Sequence, residues 1–136
     1  MSPFVLDASI AGRWLVDSDL SSARKLLRVR AFEHGVVVPL LFRYEVANLL
    51  TTYSRNVDTE IVGRAMAAIR SWPITIDIRG PLYDEHINIA LDNGLTAYDA
   101  TYLELAIRLE LPLATLDAKL GAAAKRAGVK LLGLPK

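Results

Sequence analysis

Phe4-Val5-Leu6-Asp7-Ala8-Ser9 decides how the chain reads: three apolar residues, then at once an acid, a small residue and a hydroxyl. A short apolar run that stops on a carboxylate predicts a buried strand entering a loop or helix. The same pattern recurs further along. Val36-Val37-Val38 is a β-branched run and predicts a second buried strand. Ile74 to Asp77 reads as a third, Leu113-Ala114-Thr115-Leu116 as a fourth that ends on Asp117, and Val129 to Leu132 as a last. Helical segments lie between them. Ser21 or Ser22 caps a helix to about Glu33, closed by His34-Gly35. Pro39 suits the first turn of a helix to about Arg55, and Asp58 or Thr59 starts one that ends before Trp72-Pro73. Pro81 opens a helix to about Leu91, with Asn93-Gly94 as the break. Thr96 begins one to about Leu109, with Glu104 and Arg108 as an i,i+4 pair on its wet face. Ala118 to Ala127, closed by Gly128, is the last. This alternation predicts an α/β fold, a three-layer α/β/α sandwich around a mostly parallel sheet.

At 136 residues the chain is expected to form a single domain, residues 1–136, with a real core. Hydrophobic residues make up 52%, a rich share that leaves room for a subunit or partner interface. The absence of cysteine excludes disulfides, thiolate metal ligation and cysteine nucleophiles. Neither a signal peptide nor a membrane-spanning run is read, so a cytoplasmic protein without membrane association is expected.

Four acids stand out because each ends an apolar segment or lies beside an apolar helical face: Asp7, Glu45, Asp99 and Asp117. A parallel sheet can bring such positions together at one edge, and four carboxylates in one cleft call for a divalent cation. Local explanations compete. Asp7 is either a helix N-cap or a strand-end ligand. Asp117, directly after a strand, has the placement of an N-cap. Thr96-Ala97-Tyr98-Asp99 has capping-box spacing, although Asp99 also shares a face with Tyr102, Leu103 and Ala106. Glu45 lacks so easy a role: Leu41 and Leu49 flank it at i−4 and i+4, and Asn48 lies at i+3. A glutamate on an apolar stripe needs a metal or an ion-pair partner such as Arg13 or Arg43.

Ser9 and Thr115 are candidates to hydrogen-bond to the acids, or else to satisfy backbone groups. His34 and His86 have no ligand-spaced partner and are expected at a helix end and on the surface. No Walker loop, dinucleotide fingerprint or zinc spacing is present. With four acids set aside for a cleft, eleven face sixteen Lys and Arg, a surplus of about five positive charges able to attract a polyanion.

In order and spacing, Phe4-Val5-Leu6-Asp7-Ala8-Ser9, Tyr44-Glu45-Val46-Ala47-Asn48-Leu49-Leu50, Leu95-Thr96-Ala97-Tyr98-Asp99-Ala100-Thr101-Tyr102 and Leu113-Ala114-Thr115-Leu116-Asp117 resemble the PIN-domain family, specifically the VapC-type toxins of toxin–antitoxin pairs. The resemblance implies an α/β/α sandwich that cleaves RNA with Mg²⁺ or Mn²⁺. It matches Asp7, Glu45, Asp99 and Asp117 to the family's acidic quartet, and Ser9 and Thr115 to its hydroxyl positions. It also implies a homodimer and an inhibitory antitoxin partner. Many members carry a further acid two residues after the fourth, where this chain has Lys119.

Hard carboxylate oxygens suit Mg²⁺ or Mn²⁺, and a metal-activated water attacking a phosphodiester in line would leave 5′-phosphate and 3′-hydroxyl ends. RNA is expected to be held along its backbone by basic residues among Arg24, Lys25, Arg28, Arg43 and Lys119, with single-stranded or looped RNA as substrate. Two rivals remain within the fold: a housekeeping RNA-processing nuclease, and a non-catalytic module whose acids are only caps. A phosphoryl-accepting receiver domain fits poorly, since Asp7 has no adjacent acid.

Overall fold

The computed structural model describes residues 2–17 and 22–132, with the side chains of 22–24 excepted. Ser21, one of the two proposed helix caps, and the Arg24 side chain therefore lie outside the described residues. Five strands form one all-parallel sheet: β1 (Phe4–Leu6), β2 (Val36–Pro39), β3 (Ile74–Asp77), β4 (Leu113–Ala114) and β5 (Leu131–Leu132). Their order is β3-β2-β1-β4-β5. Seven helices flank the sheet among the described residues: α1 (Ala8–Val16), α2 (Ser22–His34), α3 (Leu41–Asn56), α4 (Ile61–Arg70), α5 (Tyr83–Asn93), α6 (Ala97–Leu109) and α7 (Ala118–Arg126). This is the α/β/α sandwich expected from the alternation.

The central strands are apolar on both faces because both faces are covered: Phe4, Val5, Leu6, Val36, Val37 and Val38 are all buried. Leu6 pairs with Ala114 and Val5 with both Val37 and Leu113, so β1 is locked between two neighbours. Helices α1, α3 and α4 pack on one another, and α6 packs against β1, β2, β4 and its helical neighbours α5 and α7. Gly12 allows α1 to approach α3 closely: a Cβ there would collide with a δ-methyl of Leu49. Trp14 on α1 meets Trp72 edge to face, with ring centroids 5.7 Å apart. Among the described residues no helix is long and apolar enough to cross a membrane.

Several local expectations change. Of the two continuations expected after the first strand, loop or helix, Asp7 leads directly into a helix, α1. Pro39 ends β2, opposite Asp77, instead of opening α3. Its fixed φ suits extended backbone as well as a first helical turn, and the lost N–H is harmless at a strand end. Helix α4 starts at Ile61, and Asp58 precedes it, accepting from the Glu60 backbone N–H and pairing with Arg64. Helix α5 starts at Tyr83, two residues after Pro81.

The largest correction concerns Glu104, which is buried and not on a wet face. Arg108 does pair with it, through Nε to Oε2 at 2.8 Å and Nη2 to Oε1 at 3.0 Å. The same guanidinium reaches the end of β3, donating from Nη2 to Asp77 Oδ2 at 2.7 Å. His86 likewise is not a bare surface group. Its Nε2–H donates to the Ala97 carbonyl at 2.6 Å, fastening α5 to the start of α6. His34 lies at the end of α2, as expected.

Candidate active site

The strand order places a topological switch between β1 and β4: from β1 the chain adds β2 and β3 on one side, then β4 and β5 on the other. Parallel sheets hold their sites at the carboxyl ends of the strands beside such a switch. Asp7 follows β1 there, and Thr115 and Asp117 follow β4. Glu45 lies in the second turn of α3, and Asp99 in the first turn of α6. All four acids line one cleft of about 490 Å³.

Asp7 occupies the N-cap position of α1 but makes no side-chain cap hydrogen bond. It is buried, and two hydroxyls converge on its Oδ2: Thr115 Oγ1 at 2.6 Å and Ser9 Oγ at 2.8 Å. Each hydroxyl also accepts a backbone N–H, Thr115 from Asp117 at 3.0 Å and Ser9 from Leu116 at 3.1 Å. An ionised carboxylate can only accept, so each hydroxyl gives its single O–H to Asp7 and keeps a lone pair for the backbone N–H. The two alternatives for Ser9 and Thr115, holding an acid or satisfying the backbone, are thus both realised. No other side-chain hydrogen bond among the described residues engages Oδ1.

Asp117 does cap α7, accepting from Leu120 N–H at 2.9 Å, and still lines the cleft. The Thr96 hydroxyl caps α6 by accepting from the Asp99 backbone N–H at 3.1 Å, while the Asp99 carboxylate lines the cleft. Capping and cleft roles coexist at both positions. Glu45 pairs with neither Arg13 nor Arg43. Its Oε1 instead accepts from the hydroxyl of Tyr102 at 2.6 Å, from α6 to α3. The sequence marks Tyr102 only as a face neighbour of Asp99. A fully buried tyrosine needs a partner for its hydroxyl, and that requirement was the available signal.

The electrostatics are those of anions crowded without a counter-charge. Burial pushes the Asp7 carboxyl above its ordinary value, against the opposing hydrogen bonds from Thr115 and Ser9. Burial also raises Glu45, opposed by the Tyr102 hydrogen bond and reinforced by the charges of Asp7 and Asp99. Asp99 is raised by burial and then by Asp117 and Asp7. Burial and the Glu45 carboxylate push the Tyr102 hydroxyl strongly upward, so it stays protonated and remains a donor. No Lys or Arg is among the described residues that line the cleft.

The donor set suits a hard divalent cation: carboxylate oxygens, uncompensated charge and second partners that fix the oxygens in place. Among the described residues no three acids or histidines stand close enough to make a complete cage. That spacing is compatible with Mg²⁺, which is held by one or two carboxylates and keeps several waters. Lys119 is exposed in the first turn of α7 and does not line the cleft.

The family model for the PIN domain matches residues 4–128. A solved structure, that of PAE2754 from Pyrobaculum aerophilum, is similar with a TM-score of 0.72 at 23% identity, over 96% of this chain and 89% of that one. At that identity the likeness concerns the fold. No curated protein matches the chain. The family match spans all four acids and every strand but the last, and PIN domains are generally nucleases that use divalent metal ions. The chain belongs to the PIN-domain family.

Proposed function

We propose that the chain is one nuclease domain over residues 1–136, a metal-dependent endoribonuclease that serves as the toxin of a type II toxin–antitoxin pair. The observation that carries this reading is the meeting of Asp7, Glu45, Asp99 and Asp117, from four separate elements, in one cleft at the topological switch. Asp7 and Asp99 would be the direct metal ligands, with Glu45 and Asp117 completing the site or orienting water. Bound there, Mg²⁺ or Mn²⁺ would neutralise the carboxylates and supply an acidified water for in-line attack on an RNA phosphodiester. Ser9 and Thr115 hold Asp7 in one rotamer, and Tyr102 does the same for Glu45. Such oriented ligands lose little freedom when a cation arrives.

The toxin assignment is supported by the resemblance of the four motifs and by surface left for protein partners. Tyr83, Ile87 and Leu91 are exposed at successive i,i+4 positions on α5, an apolar stripe suited to burial by a second copy of the chain or by an antitoxin. The test is to sequence RNA ends after brief expression of the unmutated chain beside Asp7→Asn. New 5′-phosphate ends that vanish with Asp7→Asn support the reading. Identical ends from both would remove the proposed site. In vitro, chelation should stop cleavage and Mn²⁺ restore it; cleavage that survives exhaustive chelation would point to a metal-free mechanism.

A further inference from the structure

The cleft lined by four carboxylates has no cation on its described walls, so it has little to grip phosphate with beyond a bound metal. What stands beside the acids is aromatic. Tyr44 immediately precedes Glu45 on α3, and Tyr98 immediately precedes Asp99 on α6. Both tyrosines line the cleft, yet they are 67% and 64% exposed. Successive helical residues point about 100° apart. A helix that turns its acid into the cleft therefore carries the preceding ring on the rim. Neither phenol makes a hydrogen bond among the described residues. Nor do the two rings pack on each other, the aromatic pair among those residues being Trp14 and Trp72. Two large rings left in water beside a reactive centre, on two different helices, have free faces. Asn48, one turn after Tyr44 and also on the cleft wall, adds an amide that can both donate and accept.

Resting on the nuclease reading, we propose that Tyr44 and Tyr98 are the substrate subsites of this cleft: each stacks an unpaired base of single-stranded RNA on either side of the phosphate held over the acids. Stacking suits this location because it carries no charge and is not weakened by the neighbouring carboxylates. It also selects single strands, since bases inside an A-form duplex are already stacked and cannot reach a ring. Asn48 is placed to contact a base edge and gives the site a means of preferring one base.

The test measures binding apart from cleavage. The unmutated chain is titrated in Ca²⁺, put in place of Mg²⁺ or Mn²⁺ so that the acids keep a cation, against a labelled oligoadenylate of about ten nucleotides; binding is followed by fluorescence anisotropy and strand integrity is checked on a gel. The comparison strand has the same backbone with abasic sites. Adding Tyr44→Ala or Tyr98→Ala should weaken binding of the base-bearing strand by about 5- to 100-fold and leave the abasic strand unaffected. Tyr44→Phe and Tyr98→Phe, which keep the ring, should retain the parental affinity. Equal affinity of the alanine variants and their parent overturns the proposal, and so does an equal loss on the abasic strand. Both positions are exposed, so unchanged thermal melting is expected and separates loss of stacking from loss of fold. If the unmutated chain cleaves no RNA, the nuclease reading falls, while this binding comparison still decides whether the two rings stack on bases.

Discussion

The hydroxyl of Tyr102 donates to Oε1 of Glu45 at 2.6 Å, joining α6 to α3 beside the cleft. Tyr102 is fully buried and its hydroxyl is held protonated, so it is the donor in this bond whenever the Glu45 carboxyl is ionised. Tyr102→Phe removes the donor and keeps the ring, so packing should survive. Loss of such a bond behind a ligating carboxylate costs about 10- to 100-fold in metal affinity or activity. We expect a fall of about tenfold in Mn²⁺-dependent kcat/KM with little change in Tm. Tyr102→Ala would in addition open a cavity and cost about 3–5 kcal/mol of stability. Parental activity in the phenylalanine variant would show that the Glu45 orientation has another source.

Asp99 is held above the ordinary carboxylate range first by burial and then by the charges of Asp117 and Asp7. A raised folded-state value means that ionising the group costs stability as pH rises through it. Asp99→Asn removes one repelling charge and leaves the backbone N–H to Thr96 Oγ1 in place. The metal-free variant should therefore melt no lower than its parent at pH 7. The parent should gain about 2.7 kcal/mol at a Mn²⁺ concentration a hundred times its Kd, and the variant should lose most of that gain. Thermal melting with and without Mn²⁺ reads both effects. A variant that melts several degrees below its parent without metal would mean that Asp99 is structural.

Thr115 is fully buried, and its hydroxyl both donates to Asp7 and accepts from the Asp117 backbone N–H. Thr115→Val keeps the shape and strands both partners, for a loss of about 1–3 kcal/mol. Removing a hydrogen bond that lowers the Asp7 carboxyl lets burial raise it further. Protonation then sets in at higher pH, so the variant's Mn²⁺ affinity should fall away earlier than the parent's as the solution is acidified. Thr115→Ser restores the donor and should restore the pH profile. Coincident profiles for all three proteins would exclude a role for Thr115 in tuning Asp7.

What was legible in the chain is what has a local signal. Phe4-Val5-Leu6 can hide only as a strand covered on both faces, and an acid placed directly after such a strand lands at the carboxyl edge of the sheet. Thr96 and Asp117 announce helix starts through their side chains, and both caps form. Partners far apart in sequence were not legible. Nothing near Glu45 names Tyr102, and the pairing exists only because α3 and α6 meet. Pro39 fits a strand end and a helix start equally well, so its local chemistry could not choose between them. Glu104 misled for a related reason: an i,i+4 ion pair has the same spacing on a wet face as on a buried one.

Glu104, Arg108 and Asp77 form the ion-pair network with the most buried member among the described residues, and its parts should respond differently to removal. Arg108 is the shared donor, Glu104 has a side chain only 4% exposed, and Asp77 ends an edge strand at 12%. Arg108→Met leaves the buried Glu104 carboxylate unpaired and should cost about 3 kcal/mol or more. Asp77→Asn leaves the Glu104–Arg108 pair intact and should cost about 1 kcal/mol at neutral pH. Hydrogen bonds from Arg108, reinforced by its charge, hold the Asp77 carboxyl below the ordinary value. The stability it contributes is therefore complete above the unfolded value of about 3.9 and is lost as pH falls through the lower folded value. The gap in stability between the parent and Asp77→Asn should be constant from pH 7 to about pH 5 and close below about pH 4. Urea titrations at several pH values measure it. A gap that persists undiminished into that acid range would mean that Asp77 acts through packing and not through its charge.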